Sequence, residues 1–179
     1  MGWQRCLLWP LALLLTGCAV VPSPPALPTP VRPPEISSTV EALQAALEGD
    51  YPLAALTIRY EIGNEAWEGR TVLVIQGNGS AEVTFAHQGK QQIWSSSLSG
   101  SEFLALVRLL VEHELWNVKG QREMGAPDEA RPVITVEAEG FEPLSVALWL
   151  GEAQEQPDFE AVMVVLSDLA TTISGGIAR

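Results

Sequence analysis

Seven prolines fall within fifteen residues near the start of the chain, and they limit where this protein can fold. They lie between Val20 and Pro34, at positions 22, 24, 25, 28, 30, 33 and 34. Proline lacks the backbone N–H and fixes φ, so such a stretch favours extended polyproline II over helix or sheet. At ~3.1 Å per residue this stretch spans up to roughly 45 Å. The sequence therefore predicts a spacer at residues 18–35 and a folded domain at residues 36–179. The alternative role for the proline-rich segment is to be bound by a domain that recognises proline.

Alternating apolar residues after the spacer predict β-strands. Leu56, Ile58, Tyr60 and Ile62 alternate with polar residues, which is typical of a strand with one face in water. The pair Asn78-Gly79 predicts a two-residue hairpin turn, because both residues tolerate positive φ. The remaining strands are predicted at residues 71–76, 83–87, 91–95, 133–138 and 144–150.

Three amphipathic helices are predicted between and around these strands. The capping-box patterns Ser38-x-x-Glu41 and Ser99-x-x-Glu102 each precede apolar residues at helical spacing. Pro157 suits the first turn of the last helix, where a missing N–H is not needed. The fold class that follows is α+β: an antiparallel sheet of five to six strands, two longer helices packed on one face, and a short N-terminal helix.

The first eighteen residues carry a targeting signal. One positive charge, at Arg5, precedes a nine-residue apolar stretch, Leu7–Leu15, that fits a signal-peptide core and is too short to span a bilayer. Leu15-Thr16-Gly17-Cys18 comes next. This segment resembles the lipobox of bacterial lipoproteins, in which small residues precede a cysteine whose thiol takes a diacylglycerol. An ordinary secretory peptide cut near Gly17-Cys18-Ala19 is the alternative.

The resemblance to lipoproteins implies a signal peptide at residues 1–17 and a lipid anchor on Cys18. Proteins of this class carry at least two acyl chains (palmitate among them) on the cysteine, and two chains give stable membrane attachment where one does not. Ala19 is not the aspartate associated with retention in the inner membrane of Gram-negative bacteria. The expected location is therefore the cell envelope, and the outer membrane if the source is Gram-negative.

Charge and cysteine content narrow the partners. The net charge of −12 repels phosphate backbones, so nucleic acid is not an expected partner. Such acidity keeps an exported domain soluble, or else attracts a basic partner. The two cysteines, Cys6 and Cys18, both precede the domain, so no disulfide partner and no thiolate metal site are expected within it.

No set of residues with catalytic or metal-binding spacing stands out. His113 lies between Glu112 and Glu114, but helix neighbours point about 100° apart and do not converge on one ion. We expect it to interact with the C-terminus of its helix. His87 closes an apolar strand face, and we expect it to be a rim or core residue. Nucleophile elbows, phosphate loops, dinucleotide glycine patterns and calcium loops are missing. The sequence predicts no catalytic residues, no metal, no cofactor and no enzyme.

Two tryptophans are candidates for an interaction surface. Trp67 falls in a predicted loop beside Glu65 and Glu68, and Trp149 points away from the apolar set of its predicted strand. Partly exposed tryptophans often anchor interfaces. Aromatic lids on a small core are the alternative role for both.

The second half of the domain resembles emfourin-type metalloprotease inhibitors. The resemblance rests on Pro127-Asp128 shortly before Val133–Val136, and on Pro157 opening a terminal apolar helix. The first half departs from that family, with an Asn-Gly hairpin and no early paired-glycine segment. The sequence therefore predicts a lipid-anchored, non-catalytic domain that binds an envelope or secreted protein. A protease inhibitor of the envelope, or an envelope enzyme, are the alternatives.

Overall fold

The computed structural model describes residues 36–64, 69–122, 126 and 128–178. The predicted lipid site at Cys18, the spacer at residues 18–35 and Trp67 lie outside these residues. The described domain belongs to one compact unit, Pro33–Arg179.

One antiparallel sheet forms the centre of the domain, and it contains six strands within the described residues. The strands are β1 (Leu56–Asn64), β2 (Gly69–Gln76), β3 (Ser80–His87), β4 (Lys90–Ser97), β5 (Val133–Ala138) and β6 (Leu144–Ala147). Their order is β4-β3-β2-β1-β5-β6, so the first hairpins lie on one side of β1 and the last hairpin on the other. This arrangement brings β5 beside β1 although 68 residues lie between them in the sequence.

Helices cover one face of this sheet. The described part of the chain contains four α-helices: α1 (Thr39–Glu48), α2 (Gly100–Glu112), α3 (Leu150–Glu155) and α4 (Pro157–Ile173). The longest, α4, contacts β1, β2, β3 and β4, while α1 contacts α2 and β5. The predicted fold class is confirmed: an α+β domain with an antiparallel sheet, two longer helices and a short N-terminal helix.

The core lies between the helices and the sheet. Strand alternation sends every second side chain into it, so that Leu56, Ile58 and Tyr60 of β1 are almost fully buried. Leu73 and Ile75 of β2 lie beside them on the same face. The helices contribute their apolar stripes, with Phe103, Leu110, Phe159 and Leu166 among the most buried residues.

Both predicted capping boxes begin helices, although only one has both reciprocal bonds. At α2 the Ser99 hydroxyl accepts from the Glu102 N–H, and the Glu102 carboxylate accepts from the Ser99 N–H at 2.6 Å. At α1 the Ser38 hydroxyl accepts from the Glu41 N–H, but the Glu41 carboxylate accepts from the N–H of Ser37 instead. The second hydrogen bond of that cap therefore involves the N–H of Ser37 and not the N–H of the N-cap residue, Ser38.

The predicted hairpin at Asn78-Gly79 forms, but its turn differs from the expected one. Ile75 pairs with Ala81, and only Gly79 takes a positive φ, of 93°. Asn78 keeps negative φ and accepts the Ser80 N–H on its side-chain oxygen at 2.9 Å. The turn with two positive φ values is at Gln88-Gly89, between β3 and β4. The connection between β2 and β3 has three residues, 77–79, so the prediction of a two-residue turn was wrong.

The predicted last strand ends early, because a short helix replaces its second half. Strand β6 stops at Ala147, and Trp149 is the N-cap residue of α3. The Trp149 side chain supplies no capping hydrogen bond. The N–H of Gly151 is instead bound by the carboxylate of Glu129 at 2.8 Å, so the group that satisfies this helix end is distant in sequence.

Candidate functional site

The second face of the sheet is not covered by any described helix. Its side chains are exposed or half-buried, whereas those of the opposite face form the core. A regular one-sided sheet carries polar residues on its open face. Here the alternation places Val72, Val74, Ile93 and Val133 on that face, and Ile93 is 56% exposed. We call this surface the open sheet face.

One row of side chains crosses the open sheet face from edge to edge. The strand register aligns one residue from each strand directly opposite its neighbours. Apart from one carboxylate, the row contains uncharged and largely apolar side chains. In order from β4 to β6 it consists of Ile93, Thr84, Val72, Glu61, Val133 and Ala147.

The single carboxylate in this row is held by two arginines. The guanidinium of Arg70 lies 2.7 Å from the Glu61 carboxylate, and that of Arg59 lies 3.2 Å away. Partial burial works against ionisation of Glu61, but the hydrogen bonds and charges of Arg70 and Arg59 outweigh it and hold the pKa of this carboxyl below its usual range. The trio carries one net positive charge, and the Arg70 side chain is 55% exposed.

Strand β4 forms one edge of the sheet, and none of the described strands pairs with its outer side. The N–H of Leu98 donates to the carbonyl oxygen of Gly79, its direct partner, at 2.7 Å. Backbone groups alternate in direction along an antiparallel strand, so Gln92, Trp94 and Ser96 also bond to β3. The backbone N–H and C=O groups of the other residues point away from the sheet; these residues are Gln91, Ile93, Ser95 and Ser97.

The opposite edge of the sheet is short by comparison. Strand β6 contains four residues, Leu144–Ala147, and Pro143 directly precedes it. Beyond the strand, the N–H of Leu148 donates to the carbonyl of Pro132, and that of Leu150 to the carbonyl of Ala130. A short edge that starts at a proline offers little room for another strand.

Of the two tryptophan candidates, the structure describes Trp149. Trp67 lies outside the described residues. Trp149 is half-buried at the start of α3, and the guanidinium carbon of Arg131 lies 5.4 Å from the centre of its ring. This distance fits a cation–π contact. Arg131 is exposed, so the pair forms a local surface feature of the loop before β5.

A network of two carboxylates fixes the segment between α2 and β5, and the sequence pattern does not predict it. Glu129 makes a bidentate ion pair with Arg122, in which both N–O distances are 3.1 Å. Its carboxylate also accepts hydrogen bonds from the N–H groups of Ala126 and Gly151. Those N–H groups, followed by Arg122, hold the pKa of Glu129 below its usual range. The buried Glu152 accepts the N–H of Gln121 with one oxygen. Its second oxygen has no hydrogen-bond partner among the described residues.

Both histidines have structural contacts. His113 is the C-cap residue of α2, and its Nδ1 lies 2.9 Å from a carboxylate oxygen of Asp158 in the first turn of α4. The expected interaction of its side chain with the C-terminus of α2 stays a prediction. The two residues line an open cavity of about 240 Å³ with Asn117 and Glu155. Within the described ranges, no three His, Cys, Asp or Glu residues converge as metal ligands would. His87 is exposed, and its ring stacks on that of Phe85 with the centres 6.1 Å apart.

None of the described helices combines the length and the apolar character that a transmembrane span requires. Comparison of the chain with protein-family models finds no match, and neither does comparison with the curated proteins.

Proposed function

We propose that this protein is a lipoprotein of the bacterial cell envelope, anchored through lipid on Cys18, whose domain binds another protein without catalysis. The Leu15-Thr16-Gly17-Cys18 sequence supports the anchor, and the seven prolines that follow support a spacer that holds the domain away from the membrane. The proposed partner is an envelope component or a secreted protein.

The open sheet face is the observation that carries the binding role. Its central row carries valine and isoleucine side chains among the polar residues that suit a solvated face. In this row Glu61 is paired with Arg59 and Arg70, and the trio carries one net positive charge, while the acidic Glu82 and Glu137 lie elsewhere on the same face. The complementary partner surface is an apolar strip with a carboxylate placed to meet Arg70. A row of side chains that crosses the whole sheet suits a protein better than a small molecule.

The binding role is tested by capture of partners from intact envelopes, with the lipid-free Cys18→Ser chain as a soluble comparison. We expect Arg70→Glu to abolish capture of a specific protein, because it places a negative charge against the partner's carboxylate. Arg108→Glu is the matched control, since Arg108 is exposed on α2, on the helix-covered side of the sheet. Equal capture by both variants, or no specific partner of the unaltered chain, would count against the binding role. A secreted protease among the captured proteins would favour the inhibitor class.

The anchor is tested separately by fractionation of cells. We expect the unaltered protein to sediment with membranes and to stay there in high salt, which removes proteins held by charge alone. The Cys18→Ser protein should lose this lipid-dependent attachment, while Cys6→Ser should keep it. Loss in both variants or in neither would show that lipid on Cys18 is not the anchor.

A further inference from the structure

We propose that the outer edge of β4 is a self-association surface, where two copies of this chain pair their β4 strands antiparallel about a twofold axis at Trp94. The pairing joins two six-stranded sheets into one and places two open sheet faces side by side. The proposal goes beyond the binding role above, because it concerns the edge of the sheet rather than its face.

The edge offers unused hydrogen-bonding groups along its whole length. Gln91, Ile93, Ser95 and Ser97 direct their backbone N–H and C=O groups outward, and no hydrogen bond to them is found in the described part of the chain. All eight residues of β4 are paired one-to-one with β3, so no bulge twists the edge away. Seven of these eight residues are exposed, and the exception is Trp94, which is half-buried. The helix α4 contacts β4, but within the described ranges no helix or loop makes a hydrogen bond to these outward groups.

After its first residue, Lys90, strand β4 lacks the features by which proteins protect an exposed edge. Natural sheets guard long edges with charged side chains, proline, bulges or very short strands. From Gln91 to Ser97 the strand contains no charge and no proline. The other edge, at β6, is both short and preceded by Pro143. Protection of one edge and not of the other is expected when another strand occupies the unprotected one.

The neutrality of this edge fits a second copy as the occupant, because a strongly charged partner strand would meet no opposite charge along Gln91–Ser97. Two copies each carry a net charge of −12 and repel one another overall, so a surface that joins them has to be free of acid. The segment Gln91–Ser97 is such a region. Its glutamine and serine side chains both donate and accept hydrogen bonds, so an identical strand complements it. A twofold interface requires this self-complementarity, because the same patch serves both partners.

The positions of the outward groups fix the register. With the axis at Trp94, Gln91 pairs with Ser97 of the second copy and Ile93 pairs with Ser95 of the second copy. Every outward N–H and C=O of these four residues then finds a partner. The two Trp94 side chains meet across the axis on the helix-covered side, as a cross-strand aromatic pair. An axis one residue earlier, at Ile93, would leave Ser97 unpaired.

Self-association is measured with the full-length Cys6→Ser, Cys18→Ser chain, purified in mild detergent and analysed by sedimentation equilibrium. We expect a monomer–dimer equilibrium that Ser95→Pro weakens by roughly 100-fold or more, because proline removes an outward N–H and its ring opposes the approaching strand. Proline is tolerated at this edge position, since the Ser95 N–H makes no bond to β3. Ser95→Ala keeps the N–H and should dimerise like the parent chain. A parent chain that stays monomeric at protein concentrations up to roughly several hundred micromolar, which is the range of Kd for a weak interface, would overturn the proposal. A folded Ser95→Pro variant that dimerises as tightly as the parent chain would also overturn it.

Hydrogen exchange on the parent chain tests the same interface without a substitution at the edge. The amides of Gln92, Trp94 and Ser96 should be protected at all protein concentrations, because they bond to β3. The amides of Gln91, Ile93, Ser95 and Ser97 should gain protection only as the dimer forms. Protection at Ser97 supports the axis at Trp94. A dimer whose outward amides exchange as fast as those of the monomer has another interface, and this result would also overturn the proposal.

The two proposals fail in distinguishable ways. A purified chain that stays monomeric but captures an envelope protein through Arg70 contradicts self-association and keeps the binding role. A chain that dimerises through β4 but captures nothing contradicts the binding role and keeps self-association. If the parent chain is monomeric and the Ser95→Pro variant no longer captures the envelope protein, the edge of β4 binds a strand of a different protein, and self-association is contradicted.

Discussion

Among single residues, Tyr60 gives the clearest electrostatic consequence of the packing. Its side chain lies in the core beneath α4, and its hydroxyl makes no hydrogen bond of normal geometry. Burial raises the pKa of Tyr60 to about 12, with a small opposing effect from nearby Ser167. The folded state therefore holds this proton more tightly than the unfolded chain does.

This difference predicts a loss of stability in alkali. Between about pH 10 and pH 12, Tyr60 ionises in the unfolded chain before it does so in the folded protein. As pH rises through this range, the contribution of Tyr60 to the free energy of unfolding therefore falls by about 2–3 kcal/mol. Below pH 10 the contribution is constant. Tyr60→Phe should lack this component and should differ little from the parent at neutral pH. Chemical denaturation of both proteins from pH 8 to pH 12 measures it, and parallel pH curves would contradict the assignment.

Gly77 shows how closely two turns approach each other. A Cβ at this position would lie 1.6 Å from the carbonyl oxygen of Leu53, in the turn before β1. Gly77→Ala should therefore destabilise the domain by about 3 kcal/mol, because backbone must move on one side or the other. Gly100→Ala is the control, since nothing lies within 4 Å of its added Cβ and alanine favours the helix there. Thermal unfolding compares the two variants. Equal unfolding midpoints for Gly77→Ala and Gly100→Ala would contradict the close approach of Gly77 to Leu53.

At the level of elements, α3 depends on a residue outside it. Glu129 accepts the Gly151 N–H in the first turn of the helix and ties it to Arg122 and Ala126. Because these contacts lower the pKa of Glu129, the stability they give is present above its unfolded pKa and is lost as pH falls through the folded value.

Glu129→Gln should loosen α3 and the segment before β5 without unfolding the sheet. The amide keeps one acceptor oxygen but loses the charge that Arg122 binds, so the Gly151 amide should exchange with solvent several-fold faster, on the order of a lost surface ion pair. Glu137→Gln removes the same charge from an exposed site on β5 and should leave Gly151 unchanged. Slower or equal exchange of the Gly151 amide in Glu129→Gln would contradict this role for Glu129.

How far each element can be predicted depends on the range of the interactions that form it. The period of apolar residues predicts β1 and α4, and the local Ser99–Glu102 pair predicts the start of α2. The helix α3 escapes prediction because its N-terminal acceptor is Glu129, which no local pattern connects to it. The turn at Asn78 differs because its side chain binds the Ser80 N–H, which competes with positive φ.

At the scale of the whole molecule, the candidate surface follows from the pairing of distant strands. The row from Ile93 to Ala147 exists because β5 pairs with β1, and this pairing joins the two halves of the domain. Single-strand alternation places Val72 on one face or the other, but it does not reveal that six such residues align. The sequence therefore predicts the layers of the fold, whereas the strand order that creates the open sheet face comes only from the structure.

The proposed anchor and the proposed binding domain form one account, in which Cys18 holds the protein to a membrane and the prolines extend the domain from it. Mass spectrometry of the N-terminal peptide of the mature protein tests the centre of this account most directly. The account predicts a chain that begins at Cys18 and carries a thioether-linked diacylglycerol on that residue. A mature protein with an unmodified Cys18, or one cut at another position, would contradict it.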